Sequence, residues 1–418
     1  MKRKASSKEI SALTGLPLVS VIIPTHNRAL LLQQAVNSVY NQEGLGQEFA
    51  IELIVVDGAS SDHTPDLMRS YPQARYIRLE KNLGAAACRN TGLQSSTGKY
   101  IGFLDDDDLW LPYKLSLQIP ALESHPEIGL VYSQSIVKIG SKFHIDPQKS
   151  DTASGSVFSQ LLVGNFIGIR TVLVRRDAFD KAGYFDEQLW IYETNEMFLR
   201  LAFHVSFLFV PGPVAIYRLS PRGTYMTLIN QRDAEQAVRL IIQKVVSLLE
   251  RSGKHHSDLI PKAKARLGLW IAAVKEESGD FKEMQSYLVK SLEEFPWLVR
   301  ETWAWRLLSR MGLRFAFSSD SPNTALRAFS ADVVRAGRKL PWSERMKVRR
   351  SLAYLWIEAA ATIASRCSKR NPKAGYAAAH ALLYDPTIIL RMDIIRLLLS
   401  IGSASPNPAG VPRPFAAG

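Results

Sequence analysis

Cysteine is nearly absent. The 418 residues contain two, Cys88 and Cys367, too few for a disulfide framework or an all-cysteine metal site, and a reducing compartment fits. Long apolar runs are missing too: no stretch of roughly 18 uncharged apolar residues occurs, so no helix spanning a bilayer is expected. The basic start is followed by an apolar stretch broken by Pro17 and Pro24 without a small-residue cleavage pattern, so secretion is not expected and the chain reads as cytoplasmic. Neither G-x-G-x-x-G nor G-x-x-x-x-G-K-[ST] follows the first strand, which removes the standard dinucleotide and P-loop readings.

What is present is an ordinary globular composition with 46% hydrophobic and 22% charged residues, long enough for two or three domains. The net charge of +13 is unevenly placed. Residues 1–230 carry 22 Lys/Arg against 22 Asp/Glu, whereas 231–418 carry 30 against 17. The second half therefore suits contact with a polyanion such as an anionic membrane surface, or is simply a basic solvated face. Its basic residues are not interleaved with a nucleic-acid motif, so no nucleic-acid partner is expected.

Between Pro17 and about Pro213, short β-branched runs alternate with helical patterns, the mark of an α/β domain with a largely parallel sheet. Strands are expected at Leu18 onward, Ile51–Val56, Ala74–Leu79 and Tyr100–Leu104, with helices at Ala29–Tyr40 and 84–94. After about residue 226 long amphipathic helices take over. Gly279 through Pro296 and Gly375 through Pro386 read as repeat-like hairpins without a fixed period. Residues 387–401 are apolar around most of a helix, open to burial or to membrane-surface attachment. The expected organisation is a flexible tail at 1–16, an α/β domain at 17–225, a basic helical domain at 226–402 and a disordered Pro/Ala/Gly tail at 403–418.

In parallel sheets ligands bind beyond the carboxyl ends of the strands. Pro24-Thr25-His26-Asn27-Arg28 follows the first strand, Asp57-Gly58 the second, and Asp105-Asp106-Asp107-Asp108 the fourth, while Arg89-Asn90 lies on the helix between. The loop after the first strand suits a nucleoside more than a pyrophosphate cradle. Four consecutive carboxylates repel one another, a cost that a divalent cation would offset, and oxygen ligands select Mg²⁺ or Mn²⁺. The bland reading is an acidic turn capping a helix at Leu111.

In order, Val21-Ile-Ile-Pro-Thr-His-Asn-Arg28, Ile54-Val-Val-Asp-Gly-Ala-Ser-Ser-Asp62, Asn82 to Gly92, Gly98 to Trp110 and Gly183-Tyr-Phe-Asp-Glu187 resemble the family-2 glycosyltransferases, inverting nucleotide-sugar enzymes of the GT-A fold. The resemblance covers Pro17 to about Thr227. It implies a GT-A domain with a Rossmann-like, mostly parallel sheet, here followed by an all-α domain. It also implies sugar transfer from a nucleotide-diphosphate sugar, a UDP-sugar first, to a glycan or lipid-linked acceptor in cell-surface polysaccharide or glycoconjugate synthesis.

By that resemblance Pro24, Thr25, Asn27 and Arg28 line the nucleotide pocket and Asp57 accepts a hydrogen bond from the base. Arg89 lies near the base, ribose or phosphate, Asp105 and Asp106 lie by the ribose, and Asp105 and Asp107 hold the cation. The family places its general base in an acidic pair ahead of a Leu-Arg-Leu-Ala run. Aligning Tyr192 to Ala202 puts Thr194 at the base position, and threonine cannot serve. Glu193, its immediate neighbour, is favoured, with Glu196 as the other candidate, unless Glu196 merely pairs with Arg200 at i, i+4. If neither substitutes, the chain is a weakened nucleotide-sugar binder whose helical half docks a partner or membrane. His26 and Cys88 read as packing residues, and Trp110 and Trp190 as sugar-facing or core.

Overall fold

A computed structural model describes residues 15–139, 142–146, 152–163, 165–219, 231–253, 258–296 and parts of 311–355. Residues 1–14 of the expected tail at 1–16, the tail at 403–418, the second hairpin at 375–386 and the apolar helix at 387–401 lie outside the described residues.

The first strand, β1 (Leu18–Thr25), is buried along its whole length, as a continuous apolar run should be at the centre of a sheet covered on both faces. Helix α1 (Ala29–Tyr40) buries Leu32, Ala35, Val36 and Val39, the i, i+3, i+4, i+7 stripe of an amphipathic helix. There follow β2 (Ala50–Asp57), α2 (Thr64–Arg69), β3 (Arg75–Arg78), α3 (Gly84–Ser95) and β4 (Tyr100–Phe103). Helix α3 lies against β1 at Gly92, where a Cβ would come within 2.5 Å of Ile22 Cγ2, so only glycine allows this approach.

The chain continues through β5 (Leu109–Trp110), α4 (Lys114–Ser124), β6 (Ile128–Ile139), β7 (Lys142–Asp146), α5 (Phe158–Val163), β8 (Leu173–Arg175), α6 (Arg176–Ala182), α7 (Glu193–His204) and β9 (Ser206–Leu219). Leu109 and Trp110, expected to lead into a helix, instead pair antiparallel with Ile216 and Ala215 of β9, and the helix waits until Lys114. All nine described strands form one sheet in the order β3-β2-β1-β4-β8-β6-β9-β5, with β7 on β6. The block β3-β2-β1-β4 is parallel. Strand β8 is antiparallel to β4 and β6, and β6 and β9 run parallel. The sheet is mixed, with a parallel block on one side of β8. Parallel β1, β2 and β4 bring Thr25, Asp57 and the aspartate run to one edge, and the chain reverses its winding between β1 and β4, where such sheets open a crevice.

The chain divides into two compact units, 1–241 and 242–418. The division falls inside α8 (Gln231–Arg251). In the second unit α9 (Leu259–Glu277) and α10 (Phe281–Glu294) form a helical hairpin, with Asp280 accepting from the Glu283 amide as an N-cap. A Cβ at Gly268 would lie 2.3 Å from Ser291 Oγ, so the two helices touch closely. Gln285 donates to Asp332 of α11 (Pro322–Ala336) across 2.6 Å. Among the described residues no helix is long and apolar enough to cross a membrane.

Candidate active site

The aspartate run turns immediately after β4, with the Asp108 amide donating to the Asp105 carbonyl. The turn sorts its carboxylates. Asp105 and Asp107 keep side-chain exposures of 32% and 31%, whereas Asp106 and Asp108 keep 6% and 1%. Asp106 points inward, accepting from Thr25 Oγ1 at 2.7 Å and Arg28 Nη1 at 3.0 Å. Burial pushes its carboxyl up to about 6, against the pull of Arg28. The same Arg28 nitrogen donates to Asp107 at 2.7 Å. Asp107 is raised by burial and then by the charge of Asp105. Asp108 accepts from Arg170 Nε at 2.7 Å and from the Arg218 amide at 3.2 Å, and its carboxyl too is pushed up by burial.

Asn27 takes the left-handed conformation at φ 55°, which asparagine tolerates better than most residues. There its Oδ1 accepts from the amide of Ser61 at 2.7 Å, and its own amide donates to Ser60 Oγ at 2.8 Å. It staples the loops after β1 and β2 together. Asp57 is fully buried and turned toward its own loop. Its Oδ1 accepts from the Ser60 amide and hydroxyl at 2.8 and 2.6 Å, and its Oδ2 accepts from the Tyr76 hydroxyl, with Arg78 Nε at 3.7 Å. A hydrogen bond from a base would have to share an oxygen already engaged. Pro24 is buried in β1.

On the far side of α3, Arg89 is 3% exposed and uses both ends of its fork. Nη2 donates to Asp105 at 2.6 Å and Nη1 donates to Glu193 at 2.7 Å. Glu193 opens α7 just after Tyr192, which stands in the left-handed region at φ 63°. Its side chain is 13% exposed. Glu196 is committed elsewhere: both its oxygens accept from Arg200, at 2.6 and 2.7 Å, and its side chain is buried. Arg200 also donates to the carbonyls of Ala182 and Tyr184. The i, i+4 pair weighed against a base role is what forms, and it engages both oxygens of Glu196.

Trp110 is core, its Nε1 donating to the Arg170 carbonyl at 3.0 Å and its ring under Lys114 Nζ. Trp190 is 62% exposed and stands over Gly84, whose φ of +86° favours glycine at the head of α3. His26 is exposed, its Nε2 3.1 Å from Asn27 Nδ2. Cys88 is buried and its thiol is pushed up to about 11 by burial. Sequence reasoning passed over Arg170 and Arg218. The latter donates from Nε to the Asp107 carbonyl and from Nη1 to Gln34. They stand 62 and 110 positions from Asp108 in no motif, so no local signal marks them.

Residues 20–183 match the family model described as glycosyl transferase family 2. Over this segment the chain is similar to the family-2 glycosyltransferases. A Haemophilus influenzae chain named only as a glycosyltransferase is 26% identical over 255 residues, 59% of this chain and 80% of that one. A Bacillus subtilis chain, TuaG, provisionally named for teichuronic acid biosynthesis, is 32% identical over 38% of this chain and 63% of its own length. A Rickettsia felis glycosyltransferase is 35% identical, but the match spans only 25% of that protein. Among solved structures, S. aureus TarS residues 1–349 in complex with UDP-GlcNAc aligns over 79% of this chain and 90% of that one, at 19% identity and a TM-score of 0.49.

Proposed function

We propose that the protein is a metal-dependent inverting glycosyltransferase that moves a sugar from a nucleotide-diphosphate sugar to a glycan or lipid-linked acceptor in cell-surface polysaccharide synthesis. The observation that carries this reading is the sorting of the aspartate run. Asp105 and Asp107 remain half-exposed at the crevice between β1 and β4, while Asp106 and Asp108 anchor the turn. The name of the 32%-identical TuaG supports the polysaccharide setting.

The donor set fits a hard divalent cation: its ligands are oxygens only, and the charge of Asp105 already works against ionisation of Asp107, a repulsion that Mg²⁺ or Mn²⁺ would relieve. Among the described residues no group of three His, Cys, Asp or Glu forms a fuller cage. Asp105 and Asp107 would hold the ion, which when bound acts as a Lewis acid on the leaving diphosphate. Pro24, Thr25, Asn27 and Asp57 frame the nucleoside end, and Arg28 keeps Asp106 and Asp107 in place. Glu193 accepts the proton of the acceptor hydroxyl as that oxygen bonds to the anomeric carbon and the bond to the diphosphate oxygen breaks. Trp190, exposed three residues before Glu193, offers an apolar face to an acceptor sugar ring.

The test is thermal stabilisation by UDP- and GDP-sugars with and without Mn²⁺, alongside Asp107→Asn and followed by a transfer assay with the donor that binds. A ligand at about a hundred times its dissociation constant adds roughly 2.7 kcal/mol, well within reach of a melting curve. A Mn²⁺-dependent shift with one nucleotide, lost in Asp107→Asn, is the expected result. No shift with any donor in a cooperatively melting protein would overturn the reading.

A further inference from the structure

We infer that Arg89 and Asn90 form a clamp that registers the base-bearing segment 183–193 against the aspartate run, with Arg89 a positioning residue for Glu193 rather than a nucleotide ligand. The inference rests on the proposed glycosyl transfer and assigns within it a task that the family resemblance does not give to Arg89.

Three observations carry it. First, both ends of the Arg89 fork are committed. Nη1 and Nη2 donate to Glu193 and Asp105, and Cζ lies over the Phe185 ring, 5.6 Å from its centroid. Nε is buried with no hydrogen-bond partner. Only 3% of the side chain is exposed, so little of it is open to a base, a ribose or a phosphate. Second, the neighbouring Asn90 binds the same segment one step earlier in the chain. Its Nδ2 donates to the Phe185 carbonyl at 2.9 Å and to Glu187 Oε1 at 2.8 Å, and its Oδ1 accepts from the Phe185 amide at 2.8 Å. Third, Glu193 makes no other hydrogen bond among the described residues, so the Arg89 contact to Oε1 is what orients its carboxylate and leaves Oε2 for an incoming hydroxyl.

The arrangement explains why two motifs nearly a hundred positions apart occur together. The Arg-Asn pair on α3 holds the Gly183-to-Glu187 motif by three hydrogen bonds and the first residue of α7 by an ion pair. A planar, rigid fork suits the task, since it fixes two carboxylates at once; a lysine in its place would supply charge without that geometry. The Asp105 that receives the other arm is one of the two half-exposed carboxylates, so a single side chain sets where the proton acceptor stands relative to the leaving-group end of the site.

The decisive experiment compares Arg89→Lys, Glu193→Gln and the double variant in the full chain. It measures transfer kinetics with the donor found by thermal shift, and UDP affinity by calorimetry without metal. Arg89→Lys is expected to lower kcat about 30- to 100-fold, within the range a general base contributes, while donor KM and the UDP Kd stay within about threefold. In the Glu193→Gln background the same change is expected to cost less than about threefold more, because the two act as one unit. Asn90→Ala, which keeps Arg89 and frees the 185–187 segment, is expected to lower kcat with UDP affinity unchanged, and serves if Arg89→Lys does not fold. A tenfold loss of UDP affinity in Arg89→Lys, or losses that multiply in the double variant, would overturn the positioning role while leaving glycosyl transfer standing. An active wild type with Glu193→Gln equally active would do the same. A wild type that transfers no sugar from any donor would remove the functional reading and this one with it.

Discussion

Thr25 at the end of β1 donates its hydroxyl to the buried carboxylate of Asp106, 81 residues away, across 2.7 Å. The contact joins two neighbouring strand ends and keeps the second aspartate of the run turned inward, so that the residues on either side face the crevice. Thr25→Val is therefore expected to destabilise the fold by about 1–2 kcal/mol, the cost of stranding a buried acceptor, and to weaken Mn²⁺-dependent donor binding. Urea unfolding together with calorimetry checks both effects.

Glu193 and Glu196 lie one helical turn apart and are expected to behave oppositely. Glu196→Gln breaks a buried pair with Arg200 and should lose about 3–5 kcal/mol of stability, with kcat changed little at a temperature where the variant stays folded. Glu193→Gln should lose at least about 100-fold in kcat with a much smaller stability change. Paired melting curves and initial rates separate the two.

Trp190 is exposed and stands over Gly84 at the head of α3. Trp190→Ala is expected to raise acceptor KM about tenfold, equivalent to about 1.4 kcal/mol of lost stacking. Donor KM and donor hydrolysis in the absence of acceptor should stay unchanged. A rise in donor KM instead would assign the ring to the donor side.

Burial holds the Cys88 thiol at about 11, above its usual value of about 8.5. The folded state therefore retains a proton that the unfolded chain gives up. The stabilisation is complete below about pH 8.5 and is lost as the pH rises toward 11, amounting to as much as about 3 kcal/mol. Cys88→Ala should flatten that alkaline decline in unfolding free energy, and native Cys88 should resist iodoacetamide at pH 8 over hours.

Much of the first unit is legible in the sequence because its signals are local. The apolar run of β1, the spacing of Leu32, Ala35, Val36 and Val39, and the order of the five motifs each follow from residues close together in the chain. The small strand at Leu109–Trp110 escaped because two residues carry no periodicity, and its partner Ala215–Ile216 lies more than a hundred positions on. At the site, sequence reasoning named Asp105, Asp107, Arg89 and Glu193 but not their geometry. The sequence sets Arg89 beside the nucleotide, and the fold adds that it lies buried between two carboxylates. The anchoring of Asp108 by Arg170 and Arg218 had no signal, since an ion pair across such separations depends on tertiary structure alone.

The absent side chain at Gly92 gives α3 a mechanical character. Pressed onto Ile22 without a spacer, the helix is held close to β1 there and carries its working residues toward the other end: Arg89 and Asn90 less than a turn away, Gly84 at the far tip beneath Trp190. It is a lever with a fixed fulcrum. A methyl group introduced at the fulcrum would lift the shaft from the strand, and both the fork that aims Glu193 and the ledge under the indole would move together, although neither had been altered.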